Sequence, residues 1–148
     1  MSNKQCEEKL KDRGVRPTAA RILVLNMLAK QTAPISLMEL EILLETLDKS
    51  TISRTLALLL EHHAIHAFED GSGSTKYEIC RSQSDTCVVA DRHIHFFCEV
   101  CHKTQCLSDI KIPVVALPEG YTVNSINYMV KGVCPACSQA GNKLKTEE

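Results

Sequence analysis

The chain has 148 residues, 17 Lys+Arg against 18 Asp+Glu, and a formal charge of -1. This length admits one ordinary domain or two small ones, and the balance excludes a chain drawn to nucleic acid by its overall charge. No run of about 18 apolar residues is present to span a bilayer, and the opening MSNKQCEEKL lacks the apolar core of a secretory signal, so a cytoplasmic protein with no membrane partner is expected. Eight cysteines then point to metal ligands or thiols ahead of disulfides, because the cytosol keeps thiols reduced.

In chain order, Lys4, Lys9, Lys11, Arg13, Arg16 and Arg21 outnumber Glu7, Glu8 and Asp12, a modest basic patch that reads as a solvated helix face. From Pro17 to Lys30, Ala20, Leu23, Val24, Met27 and Leu28 recur at steps of three and four, which predicts an amphipathic helix. Ser36-x-x-Glu39 reads as a capping box opening a second helix with Leu37, Leu40, Leu43, Leu44 and Leu47. Asp48-Lys49-Ser50 supplies a turn and cap for a third, Thr51 to His63, with Ile52, Leu56, Leu59 and Leu60 on one side. Ile65–Glu69 and Thr75–Ile79 then flank Asp70-Gly-Ser-Gly-Ser74 as the two strands of a hairpin. Three helices and a hairpin in this order predict a winged helix-turn-helix domain over residues 1–82, with the third helix in the major groove of DNA; a small helical domain with an incidental hairpin is the plainer alternative.

Residues 83–92 read as a linker. Beyond it, residues 93–140 form a second domain with strands over His93–Val100, Thr104–Leu107 and Tyr121–Val130, and a short helix within Asp109–Leu117 limited by Pro113. A unit of roughly 50 residues needs a metal or a partner to be stable. Residues 141–148 are expected to be a disordered tail.

Cys98-x-x-Cys101 and Cys134-x-x-Cys137 make two paired-thiol knuckles. Four thiolates close a tetrahedral, structural zinc site, whereas a redox motif needs one pair only. His93-x-His95 precedes the first knuckle, and strand alternation puts both rings on one face, as a divalent transition metal requires. His66 and Cys80 sit on the two wing strands at similar distances from the turn, which predicts that they lie roughly opposite each other. Glu78 offers an oxygen ligand beside them or is simply a wing residue, and Cys80 is a ligand or a small buried hydrophobe.

From about Gly14 to Cys137 these residues resemble the ferric uptake regulator family. The resemblance is carried by Gly14-x-Arg16-x-Thr18-x-x-Arg21, by Ser50-Thr51-Ile52-Ser53-Arg54-Thr55-Leu56, which is similar to the family's recognition helix, and by the His93 to Cys101 and Cys134 to Cys137 metal motifs. It implies an α+β protein: a homodimer whose winged-helix domains bind a double-stranded DNA operator and are joined by small α/β dimerisation domains, with a structural zinc and a sensing metal at the hinge. Arg16, Thr18, Arg21, Ser50, Thr51, Ser53 and Arg54 are its implied DNA-binding residues. The chain departs from the family pattern at several positions: Ser53 stands where a tyrosine is usual, Pro34 where iron sensors place a histidine, and Cys106 where a carboxylate is usual. Arg92, Ile94 and Ile126 occupy positions where a further C-terminal site would need ligands.

What remains is His66, Cys80, His93 and His95, a set similar to the sensing site of the zinc uptake branch, with Glu78 and Cys106 as further candidates. Three nitrogens and a thiolate suit Zn²⁺, whereas Fe²⁺ or Mn²⁺ would favour Glu78 and more oxygen. The expectation is a repressor of metal-uptake genes that responds to zinc. An iron-, manganese- or peroxide-responsive repressor is the alternative within the family, and a zinc-buffering or adaptor protein the alternative outside it. No nucleophile, base and orienting group assemble in the sequence, so an enzyme is not expected.

Overall fold

The computed structural model describes residues 1–81, 94–107, 109–110, 112–113, 115–123, 126 and 128–145, the side chains of 142–145 excepted. The linker at 83–92, together with Cys87 and His93, lies outside the described residues.

Helices α1 (Asn3–Asp12), α2 (Ala19–Lys30), α3 (Leu37–Leu43) and α4 (Lys49–Glu61) precede a three-stranded sheet of β1 (Ile35–Ser36), β2 (Ile65–Glu69) and β3 (Thr75–Ile79), in the order β1-β3-β2. Each helix starts at a residue that satisfies its first N–H groups: Ser2, Thr18, Ser36 and Asp48 accept from the backbone three residues on. Leu10, Val24, Leu25, Leu28, Leu40, Ile52, Leu56, Leu59 and Ile65 make one buried core at the centre of these elements. Helix α1 lies in the basic patch read as a solvated helix face and is additional to the three helices predicted with bounds; only Cys6 and Leu10 on it are buried.

Two left-handed residues end helices here. Gly14 (φ +70) follows α1, with Gly14 N–H to Lys11 C=O and Val15 N–H to Leu10 C=O; His63 (φ +53) follows α4 with the matching pair to Leu60 and Leu59. His62 Nδ1 lies 2.9 Å from the Arg13 carbonyl, tying the two helix ends together.

The Ser36 capping box forms as the sequence predicts, with Glu39 N–H to Ser36 Oγ at 3.3 Å and Ser36 N–H to Glu39 Oε2 at 2.7 Å. Glu39 also meets Lys76 Nζ at 3.3 Å, which links α3 to β3. Ser36→Ala is expected to lower stability by about 1 kcal/mol, read as a shift of the urea midpoint without a change in slope.

The second sheet holds β4 (Ile94–Cys98), β5 (Thr104–Leu107) and β6 (Tyr128–Gly132) in the order β5-β4-β6, antiparallel to β5 and parallel to β6; α5 (Pro135–Lys145) follows. Three expectations are corrected. The last strand starts at Tyr128 and not at Tyr121, since Tyr128 is already opposite Ile94, the first residue of β4. The described residues between 109 and 117 are not helical, in a stretch of β-branched residues broken by Pro113. Residues 141–145 continue a helix that Pro135 opens inside the second knuckle, in place of the expected disorder. Among the described residues of this half, Phe97, Cys98 and Cys134 are its buried apolar side chains, a core too small to hold the sheet by itself.

Candidate metal centres

Cys98 ends β4, Cys101 lies in the turn to β5, and Cys134 and Cys137 bracket the start of α5. The knuckle turn closes with His102 N–H to Cys98 C=O at 2.9 Å, His102 taking a left-handed φ of 57°. The four sulfurs lie within 4.8 Å of one another, and Cys101 Sγ is 3.9 Å from Cys134 Sγ. Sulfurs at about 2.3 Å from a tetrahedral zinc stand roughly 3.8 Å apart, so the four cysteines fit a structural zinc. N–H groups of Cys101 and Cys134 point at Cys98 Sγ and bring its pKa down to about 6. Hydrogen bonding to Cys134, burial and the nearby sulfurs push Cys137 up to about 12. Thiols this close resist joint ionisation, and a dication removes that conflict. None of the seven described cysteines is in a disulfide.

A second cluster joins the two sheets. Glu78 of β3, His95 of β4 and Cys106 of β5 place their ligand atoms within 4.8 Å of one another. Glu78 Oε1 is 3.0 Å from His95 Nε2, and the buried His95 ring stacks on Phe68 of the wing at 3.8 Å between centroids. His95 and Cys106 are directly opposed across β4 and β5, so they share a face.

Of the wing candidates, Glu78 is the one whose ligand atom lies in this cluster. Register pairs His66 with Glu78, not with Cys80. Cys80 lies beyond β3, where its N–H bonds Ala64 C=O, and its buried sulfur accepts from Arg13 Nη2 at 3.7 Å. The structure therefore brings together Glu78, His95 and Cys106, places half-buried His66 on the same face as Glu78, and turns Cys80 towards the end of α1. The pairing was misjudged because the turn centres on Ser72, which counts Glu78 and not Cys80 back to His66.

The residues expected to meet DNA divide into two groups. Arg16, Ser53 and Arg54 are exposed, with Arg54 Nε donating to Ser50 C=O at 3.3 Å. Thr18 caps α2, Arg21 Nη1 donates to Arg16 C=O at 2.7 Å, and the hydroxyls of Ser50 and Thr51 both donate to Asp48. The second group thus shapes the backbone at the starts of α2 and α4.

The model of the ferric uptake regulator family matches residues 12–117. The chain belongs to this family of regulators. Its fold is similar to that of a zinc uptake regulator complexed with zinc and DNA, with 21% identity, a TM-score of 0.65 and 95% of each chain covered. It is also similar to the ferric uptake regulator of Helicobacter pylori, described as having three functional metal binding sites, at 18% identity and a TM-score of 0.62, covering 93% of this chain and 95% of that one. The ferric uptake regulator of Vibrio cholerae is similar at 18% identity and a TM-score of 0.61, covering 86% of this chain and 98% of that one. No curated protein matches the chain by sequence. Among the described residues no helix is long and apolar enough to cross a membrane.

Proposed function

We propose that this member of the ferric uptake regulator family is a cytoplasmic, zinc-responsive repressor that binds operator DNA as a homodimer. The observation that carries the reading is the cluster of Glu78, His95 and Cys106, in which a carboxylate from the wing meets an imidazole and a thiolate from the second sheet. A metal bound there ties the DNA-binding half to the other half and favours the closed arrangement by its greater affinity for it. If DNA also selects that arrangement, metal and DNA each tighten the other.

A thiolate in the cluster favours zinc over Fe²⁺ or Mn²⁺, which take oxygen-rich sets. The carboxylate of Glu78 is what favours the iron or manganese reading. In the zinc reading His66 or His93 completes a tetrahedron, and Cys80, implied by the resemblance, enters only by leaving Arg13. The four-cysteine site holds a second, structural zinc. Residues 1–82 are assigned to DNA binding and 93–140 to dimerisation, where Val100, Val115, Leu117, Tyr121, Val130 and Val133 expose apolar surface that a second copy would cover.

In this reading Arg54, exposed near the start of α4, meets base edges or phosphates, and exposed Arg16 meets the backbone or minor groove. Arg54→Ala is expected to weaken operator binding at least about ten-fold with metal content unchanged. The check is fluorescence anisotropy with selected genomic fragments at fixed salt. Wild-type affinity in that variant would take the start of α4 out of the interface.

A further inference from the structure

The wing is joined to the second sheet at a place separate from the metal cluster. Asp70, which follows β2, is fully buried, and Thr104 at the start of β5 is 4% exposed. Thr104 Oγ1 donates to Asp70 Oδ2, while Asp70 Oδ1 accepts the Ser72 N–H at 2.9 Å. Beside this pair the side chain of Lys131, on β6, crosses the backbone of Gly71: a Cβ at Gly71 would stand 2.3 Å from Nζ and 2.8 Å from Cε. The glycine, at φ +89, provides both the left-handed turn and the room for the lysine. The wing tip is therefore seated on β5 and β6 through a buried polar contact and a close approach of chains.

Burial by itself would raise the pKa of Asp70, but the hydrogen bonds from Ser72 and Thr104 and the charge of Lys76 outweigh it and hold the carboxyl below its ordinary value. The group is an anion at neutral pH. A buried anion is stable only where its donors are, so parting the wing from β5 removes one of the contacts that keep it there.

We infer that Asp70 and Thr104 form a latch that seats the wing on the second sheet without metal, and that they act as positioning residues which set the affinity of the Glu78–His95–Cys106 centre. This inference rests on the proposed function for that centre. The latch and the centre bridge the same two hairpins, β2–β3 of the wing on one side and β4–β5 on the other, the latch from the end of β2 to β5 and the centre from β3 to β4 and β5. Closing one brings the parts of the other into register, so the two contacts are linked: a protein held partly closed by the latch presents its ligands ready-placed, and one without it binds metal only in the fraction of time that it closes. Neither residue needs to touch the metal.

The experiment uses the full chain with its tight zinc in place. Thr104→Val keeps the branched shape and removes the donor, while Thr104→Ser keeps the donor. Zinc titration against a competing chelator is expected to show the second zinc bound roughly ten-fold more weakly in Thr104→Val, restored in Thr104→Ser, with the first zinc unaltered in both. Amide exchange before the second zinc is added is expected to speed up across Ile65–Ile79 in Thr104→Val and to stay unchanged in α2 and α4. A second zinc bound with wild-type affinity by Thr104→Val overturns the inference. If no variant, nor the wild type, binds a second zinc, the reading of the centre has failed; faster wing exchange then still supports the latch, and unchanged exchange overturns it. Should Thr104→Val not fold, Asp70→Asn takes its place with the same expected weakening and the same overturning result.

Discussion

Replacing Cys134 with serine is expected to remove the structural zinc and unfold the second half of the chain. Folding and zinc binding are one equilibrium in a unit with so small a core: Phe97 and two of the ligands, Cys98 and Cys134, are its buried apolar groups among the described residues. Cys134 also donates its N–H to Cys98 Sγ at 3.3 Å, so the loop that carries it is organised by the site itself. Cys98→Ser, Cys101→Ser and Cys137→Ser should behave alike, since each leaves an open tetrahedron. Helices α1 to α4 have a core of their own and should remain folded. The expected result is loss of the structural zinc and, because His95 and Cys106 lie on the strands that unfold, of the second zinc as well, with loss of the dimer in solution and a thermal transition confined to the first half. A soluble, dimeric Cys134→Ser protein with unchanged melting would show that these four cysteines are not a structural zinc site.

Cys106→Ser should have the next largest effect, and on a different property. Loss of its thiolate leaves Glu78 and His95 as the placed ligands, and the second zinc should bind more than about 100-fold more weakly while the four-cysteine zinc stays. Glu78→Gln should weaken the second zinc as well, because it takes the negative charge from the group that stands 3.0 Å from His95 Nε2. Cys80→Ser should change zinc affinity less than Cys106→Ser, since its sulfur is not among the three clustered ligand atoms and accepts from Arg13 Nη2 at 3.7 Å. Chelator-competition titrations of the three variants read these differences directly. If Glu78→Gln abolishes the metal response and Cys106→Ser leaves it intact, the metal is iron or manganese in an oxygen-rich site. If Cys80→Ser is the damaging change, the zinc-bound wing differs from the arrangement seen here, with Cys80 withdrawn from Arg13.

The parts of the fold legible in the sequence are those governed by local rules. The hairpin at Ile65–Glu69 and Thr75–Ile79 is set by alternation around a Gly-Ser turn and lies where that rule puts it, and α3 starts where the Ser36–Glu39 box puts it but ends at Leu43, short of the expected Leu44 and Leu47. The four cysteines were legible because knuckle spacing fixes two ligands at a time. Contacts between the halves leave no such trace. Asp70 reads as a turn residue before glycine, and nothing local marks it as buried against Thr104, 34 positions away. Cys80 reads as a ligand by resemblance, and its sulfur also accepts from Arg13, at the end of a helix whose charged sequence hid its two buried residues. Glu78 and Cys106 were readable as candidates but not as a group with His95, because that grouping depends on the register of three strands at once.

The central claim, that a second, weaker zinc joins the halves and thereby controls DNA binding, is tested most directly by titrating zinc into anaerobically purified protein and following its binding to genomic DNA fragments. The first equivalent should fold the second half without producing a shifted band. DNA binding should appear with the second equivalent and disappear under mild chelation that leaves the first in place. Tight DNA binding that ignores the second zinc, or no DNA binding with both sites filled, would contradict the claim, and the latter would point to a zinc-buffering or adaptor protein.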